Sequence, residues 1–159
     1  MGDFPVNPHK TLSSIMPTAH LLVAAAFALV LLSFAVGLRL LFVRSQEMRA
    51  KRVHPQAAST SLAMAAKLQD VQAADNFRNL FEVPVLFYAL VAMSVAVNFT
   101  PTWLALGAWL FVVLRVAHSL IHCSYNRVMH RFAAFGISFL LLVGLWAAFV
   151  FSLLDSSSV

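Results

Sequence analysis

Two short polar clusters interrupt apolar stretches of this chain, and both carry side chains that can bind charged groups. The first cluster contains Arg78, Asn79 and Glu82 and opens an apolar run that continues through Val97. A charged side chain at the centre of a membrane-spanning helix costs about 2.5–3.5 kcal/mol on insertion scales. We therefore expect these side chains to have partners, either within the protein or in a ligand.

The second cluster contains Arg115, His118 and His122, which follow one another at i, i+3 and i+7. This spacing puts all three on one face of a helix, and the i, i+4 spacing of Arg78 and Glu82 does the same on theirs. Two such faces on neighbouring helices can enclose a basic cavity that contains one buried carboxylate. Its charges suit a small anionic ligand that also carries an amino group, because arginine binds carboxylates and Glu82 can bind an ammonium group.

Further arginines flank the two clusters. An alternative role for Arg39, Arg44 and Arg127 is to extend towards lipid headgroups, and for Arg44 we favour it. Glu82 can equally serve only to pair with an arginine of the bundle. The candidate binding residues are Arg39, Arg78, Asn79, Glu82, Arg115, His118, His122 and Arg127.

The two histidines of the second cluster have the HxxxH spacing that fits metal or haem ligation. Neither a carboxylate in register nor a histidine pair on another span accompanies them, and His20 lies near the opposite end. We therefore predict no metal site here. Cys123 is the only cysteine, so an intrachain disulfide is impossible and a packed role is favoured.

Composition indicates a membrane protein. The 159 residues are 61% hydrophobic and 11% charged, and the mean hydropathy is +0.84. Soluble domains carry about 25% charged residues. Although the pI is near 10.2, the basic residues flank apolar segments instead of forming a face with interleaved aromatics. We read them as topology signals and expect no nucleic-acid partner.

Apolar runs predict one all-α membrane domain, an up-down bundle of four helices. The predicted spans are about 17–43, 72–97, 102–123 and 132–154, with a loop at about 44–68 in which a helix restarts near Thr60 or Ser61. Pro84 should kink or loosen the second span. Ten of the eleven Lys and Arg lie at or near the first and third connections, leaving Lys10 on the other side. The positive-inside rule then predicts that both connections are cytoplasmic and both termini are outside or luminal.

Two stretches resemble the MAPEG family, the membrane-associated proteins of eicosanoid and glutathione metabolism. The run Arg78-Asn79-Leu-Phe-Glu82-Val-Pro84 is similar to the family's Asn-x-x-Glu element, which is closely followed by proline. The run Arg115-Val-Ala-His118-Ser-Leu-Ile-His122 is similar to its Arg-x-x-His-x-x-x-Tyr signature. The length, the four spans and the basic cytoplasmic end agree with the family pattern over nearly the whole chain. The chain is identified as a divergent member of this family.

The resemblance implies a homotrimer that binds glutathione as co-substrate between neighbouring subunits, at the cytoplasmic side. A lipophilic small molecule would approach through the membrane lipid. Arg131 would match the arginine that stabilises the glutathione thiolate in catalytic members, because an adjacent guanidinium raises the thiolate fraction. The residues carried over to the glutathione site are Arg78, Asn79, Glu82, Arg115, His118 and Arg127.

The chain also departs from the family pattern. Asp75, Asn76 and Phe77 stand where family enzymes have an Arg-Ala-His-like sequence, His122 stands where many members have tyrosine, and Phe135 removes another hydroxyl. We predict a glutathione-dependent transferase or peroxidase acting on hydrophobic electrophiles. The alternative is a non-catalytic membrane protein of the same fold that binds lipid or serves as a subunit of a larger complex.

Overall fold

The apolar runs form long helices in the computed structural model, which describes residues 8–58, 60–68 and 71–156. All regular elements in these ranges are helical. They are α1 (Pro8–Ala50), a 3₁₀ turn (Pro55–Ala58), α2 (Ser61–Lys67), α3 (Gln72–Ala96), α4 (Thr102–Cys123) and α5 (Val128–Ser156). The side chain of Lys10 lies outside the described part of the structure.

Four of these helices, α1, α3, α4 and α5, are long and apolar enough to cross a membrane. The shortest, α4, has 22 residues and is therefore about 33 Å long at about 1.5 Å per residue. That length matches a hydrocarbon core of about 30 Å. The predicted all-α class with four membrane spans is confirmed.

The helix bounds differ from the predicted spans at the basic connections. α1 continues through Ala50, so the prediction of a loop starting at Arg44 was wrong. An i, i+4 ion pair of 2.7 Å between Glu47 and Lys51 favours the helix, and Arg49 complements the helix dipole in the last turn. At the other connection α5 begins at Val128 and not at 132, which puts Arg131 in its first turn.

Short polar side chains define the helix ends. The predicted restart near Thr60 is confirmed, because Thr60 Oγ1 accepts a hydrogen bond of 3.1 Å from the backbone N–H of Ala63. Asn98 and Asn126 have φ angles of 55° and 46° in the α3–α4 and α4–α5 turns. Asparagine adopts this left-handed conformation more readily than most residues, so it suits such tight reversals. α3 continues through Pro84.

The core lies around α4, which packs against α1, α3 and α5. Phe87 of α3 stacks on Phe111 of α4 with ring centroids 4.8 Å apart. α4 and α5 approach closely at Gly107, where a Cβ would overlap the Leu145 side chain. Van der Waals packing of this kind is the main source of association between helices in lipid.

Two contacts show that α1 runs along the whole bundle. At one end Thr18 lies 3.3 Å from Thr100, oxygen to oxygen, in the α3–α4 turn. At the other end the Arg39 guanidinium donates a hydrogen bond of 2.6 Å to the carbonyl of Cys123, the last residue of α4. The basic ends of α1 and α4 therefore lie together, on the same side as both polar clusters.

The four spans differ in how much of their apolar surface the subunit buries. The most apolar windows of α1 and α5 are 22% buried, against 39% for α3 and 44% for α4. α1 and α5 therefore present most of their apolar side chains outward, to lipid or to other membrane-embedded protein.

This burial pattern gives a test of the packing. Phe111→Ala should lower the free energy of unfolding in detergent by about 3 kcal/mol, because the fully buried ring leaves a cavity between α3 and α4. Phe151→Ala is the matched control, since its ring is 72% exposed and should matter little. Thermal unfolding of both variants checks this, and equal losses would contradict the packing described.

Candidate functional site

A buried amide fixes the start of α3 against the end of α4. Asn76 is fully buried, and its Nδ2 donates to the Cys123 sulfur at 3.3 Å. Its Oδ1 accepts a hydrogen bond of 3.3 Å from the Ser119 hydroxyl. Both polar ends of the amide are thereby satisfied, and the two polar clusters are held at the same level of the bundle.

A polar cavity of about 380 Å³ opens beside this contact, between α3, α4 and the first turns of α5. Its size falls within the range of small-molecule sites. The lining residues are Asp75, Arg78, Asn79, Glu82, His118, His122, Val128, Arg131, Phe132 and Phe135. Charged groups from α3 and α5 therefore face an apolar wall from α5 within one cavity.

The predicted convergence of the two polar helix faces is confirmed, since α3 and α4 both contribute polar side chains to the lining of this cavity. Six of the nine predicted site residues line it. Those six are Arg78, Asn79, Glu82, His118, His122 and Arg131. The other three, Arg39, Arg115 and Arg127, do not.

Arg115 lies behind the cavity wall and is fully buried. Its Nη2 donates to the carbonyl of Asn79 at 3.0 Å, and its guanidinium lies 5.7 Å from the Phe135 ring centroid. Its Nε and Nη1 have no hydrogen-bond partner among the described residues. The side chain therefore links α4 to α3 and α5 without facing the cavity.

Arg39 and Arg127 also lie away from the cavity wall. Arg39 caps the C-terminal end of α4 through the Cys123 carbonyl, where a cation also suits the negative end of the helix dipole. Arg127 is exposed in the α4–α5 turn.

Arg131 is the centre of a hydrogen-bond network at the base of α5. Its Nη1 donates to His122 Nε2 and to Asn126 Oδ1, each at 3.0 Å. Its backbone carbonyl lies 3.2 Å from Nδ1 of His118 and accepts a hydrogen bond from it. Both imidazoles are buried, and their ring centroids are 5.6 Å apart. One residue of α5 therefore orients both histidines of α4.

The acidic side chains are placed differently from the prediction. Glu82 was expected to be a buried carboxylate, but in the subunit it is exposed and makes no ion pair within 4.0 Å among the described residues. The physical reason is its position on the outward face of α3, at the mouth of the cavity. Asp75 lines the same cavity and is also exposed, so two carboxylates and two guanidinium groups, those of Arg78 and Arg131, face it.

Sequence reasoning missed Asn126 as a site residue. The available signal was an asparagine in a short turn, where it suits a left-handed backbone and leaves a side-chain oxygen close to the following helix. Phe132 and Val128 were missed because apolar side chains near a membrane helix end carry no distinctive pattern.

The described part of the chain contains no group of three or more His, Cys, Asp or Glu side chains arranged to hold a metal ion. The two buried histidines are instead engaged with Arg131.

Four membrane-length helices define a multi-pass membrane protein, and the charged cavity at one end is its candidate site. Residues 22–151, most of the chain, match the MAPEG family, and the protein belongs to it. The family prediction made from the two polar motifs is thus confirmed. No curated protein and no solved structure gave a significant match.

The burial of Arg115 yields a stability prediction. Arg115→Met should leave the free energy of unfolding unchanged or raise it, because a partly unpaired buried charge is replaced by an apolar chain of similar length. Arg115→Ala should lower it by about 2–4 kcal/mol through the cavity it leaves. Unfolding of both variants in detergent measures this; equal destabilisation would mean that the guanidinium contacts themselves stabilise the bundle.

Proposed function

We propose that this protein is a glutathione-dependent membrane transferase or peroxidase that acts on hydrophobic electrophiles. The observation that carries the proposal is the cavity in which the tethered Arg131 guanidinium lies among charged groups of both signs and beside an apolar wall. Membership of the MAPEG family supports the same class of function.

The charges of the cavity are complementary to glutathione, which carries two carboxylates, one ammonium group and a thiol. Arg78 is the candidate partner for a carboxylate, and Glu82 or Asp75 for the ammonium group. The exposed state of these three side chains in the subunit leaves them free to rotate onto a ligand. Asn79 adds a neutral amide to the same wall.

Arg131 is the candidate catalytic residue. Its guanidinium would stabilise the thiolate left when the glutathione thiol loses its proton. In conjugation the thiolate sulfur attacks an electrophilic carbon, a carbon–sulfur bond forms, and the leaving group departs with its electron pair. Phe132 and Phe135 offer an apolar surface beside this position for the hydrophobic substrate.

We further propose that the working form is a homotrimer with this cavity at the subunit interface. The outward position of Asp75, Arg78 and Glu82 supports it, because exposed charges next to a lipid-facing helix surface are costly without a polar neighbour. A neighbouring subunit would cover them and close the cavity from the side. Crosslinking in detergent that stops at three copies is the expected result.

A second candidate is a non-catalytic lipid-binding protein of the same family. Two residues that precede the Asn-x-x-Glu element, Asp75 and Phe77, favour this candidate. Asp75 brings a negative charge to the polar cavity, and Phe77 points instead into an apolar groove of about 510 Å³ between α1 and α3. Such a groove fits an acyl chain. Lipid that copurifies in fixed ratio, together with absent thiol transfer, would favour this candidate.

The proposed activity is tested first by glutathione binding to the detergent-purified protein, measured by calorimetry. We expect saturable binding, and conjugation of a model electrophile that falls by about 100-fold in Arg131→Ala, a typical loss when a charge-stabilising donor is removed. Arg49→Ala, which removes an exposed arginine at the end of α1, is the matched control and should remain active. Absence of binding at millimolar glutathione would overturn the proposal.

The proposed orientation puts the two basic connections in the cytoplasm and the termini outside or luminal. In a Cys123→Ser background, Arg49→Cys should react with a membrane-impermeant maleimide added to the cytoplasmic face of sealed membrane vesicles, whereas Thr102→Cys should react only after permeabilisation. Both native side chains are exposed, so accessibility within the protein does not limit the comparison. The opposite labelling pattern would reverse the topology.

A further inference from the structure

The guanidinium of Arg131 is held from one side only. Nη1 uses both of its hydrogens, one on His122 Nε2 and one on Asn126 Oδ1, each at 3.0 Å. Its Nη2 and Nε make no hydrogen bond within the described residues, and the side chain lines the cavity. The two hydrogen bonds from Nη1 to His122 and Asn126, called the tether below, therefore leave the other edge of the guanidinium available to a ligand.

This geometry determines the state of His122. A guanidinium can only donate hydrogen bonds, so Nε2 of His122 must present its lone pair to Nη1. The imidazole is then neutral, with its proton on Nδ1. A protonated His122 would carry a hydrogen on Nε2 as well, and its positive charge would face the guanidinium. The contact with Arg131 can exist only with the neutral ring.

Asn126 reaches Arg131 because of its backbone. Its φ of 46° reverses the chain directly after α4, and its N–H donates to the carbonyl of Ile121 at 2.9 Å. In this turn the side-chain oxygen lies within reach of a residue in the first turn of α5. The turn thus supplies the second acceptor independently of His122.

We infer that His122 and Asn126 are positioning residues that fix the Arg131 guanidinium for the thiol of the co-substrate, with His122 acting as a hydrogen-bond acceptor. The inference rests on the proposed function for its chemistry, whereas the tether itself belongs to the protein alone. The sequence alone made His122 a candidate ligand-binding residue. In the structure its Nε2 already accepts a hydrogen bond from Arg131, and its buried Nδ1 has no hydrogen-bond partner among the residues that the structure describes.

Acidification should release this tether. The charged and titratable groups around His122 are His118 on its own helix, Arg131 on α5, and Asp75, Arg78 and Glu82 on α3. The fully buried Arg115 lies one helical turn beyond His118 on the same face of α4. Protonation of His122 converts its acceptor into a donor, so the thiolate-stabilising position of Arg131 should be lost at low pH.

The tether can be tested without any ligand, through the rate at which phenylglyoxal modifies Arg131, followed by mass spectrometry. His122→Leu and Asn126→Gly each remove one acceptor, and glycine retains the positive φ at 126. We expect the rate to rise by about tenfold in each, the change that corresponds to losing one hydrogen bond to a charged group. His122→Gln, whose amide oxygen can replace Nε2, should keep the native rate, and so should the control His20→Gln, an exposed histidine at the other end.

Native rates in both His122→Leu and Asn126→Gly would overturn the inference, whatever the protein binds. A raised rate in His122→Gln as well would show that the ring acts by packing and not as an acceptor. Should His122→Leu fail to fold, as judged by its circular dichroism and elution profile, His122→Phe, which keeps a ring but has no acceptor, takes its place in the comparison.

The chemical role is tested by the ultraviolet thiolate absorbance of bound glutathione across a pH range. In His122→Leu we expect the thiolate fraction at neutral pH to fall by about tenfold while the calorimetric affinity changes little. In His122→Gln the thiolate should persist to lower pH than in the native protein, because the glutamine acceptor does not titrate. Unchanged thiolate in His122→Leu would contradict the role of His122, whereas absent glutathione binding by the native protein would contradict the proposed function alone.

Discussion

A polar side chain inside the hydrocarbon region must find its partner within the protein, and most of this structure follows from that constraint. Arg115 is fully buried on α4 and reaches across to the backbone carbonyl of Asn79 on α3. Asn76 makes a parallel link through Ser119 and Cys123. These contacts fix α3 and α4 at one height, and the cavity exists because both helices bring polar faces to that height.

The same constraint divides the polar residues into two groups. Arg39, Asn76 and Arg115 make their hydrogen bonds to other helices of the protein and position those helices relative to one another. Arg78 and Glu82 are exposed at the cavity mouth. Arg131 belongs to both groups, because one nitrogen is tethered to His122 and Asn126 while the rest of the guanidinium faces the cavity. A group that is fixed yet still exposed on one edge is preorganised for a developing charge.

Much of the fold could be predicted from the sequence, because apolar run length and basic flanks determine which segments cross a membrane. The resemblance of two short motifs was enough for the family. The basic end of α1 was predicted to be a loop because the apolar run ends there, although the i, i+4 spacing of Glu47 and Lys51 fits the helix that the structure shows. Helical periodicity also found the two faces that meet in the cavity.

Helical periodicity could not show which residues of a shared face point into the cavity and which point into the packing behind it. Arg115, His118 and His122 share one face, yet only the histidines line the cavity, and Arg115 lies behind it. Glu82 was expected to be buried and is exposed, because helical spacing shows which residues share a face but not whether that face points into the bundle. Asn126 went unnoticed because its contribution depends on a turn conformation and not on a motif.

The most direct measurement is a structure of the purified protein determined in the presence of glutathione. We expect glutathione in the cavity between α3, α4 and α5, with its sulfur next to Nη2 or Nε of Arg131. We also expect Nη1 to stay on His122 and Asn126 and Arg115 to stay behind the cavity wall. Glutathione bound with its sulfur away from Arg131, or an unliganded cavity at saturating glutathione, would contradict the role assigned to Arg131.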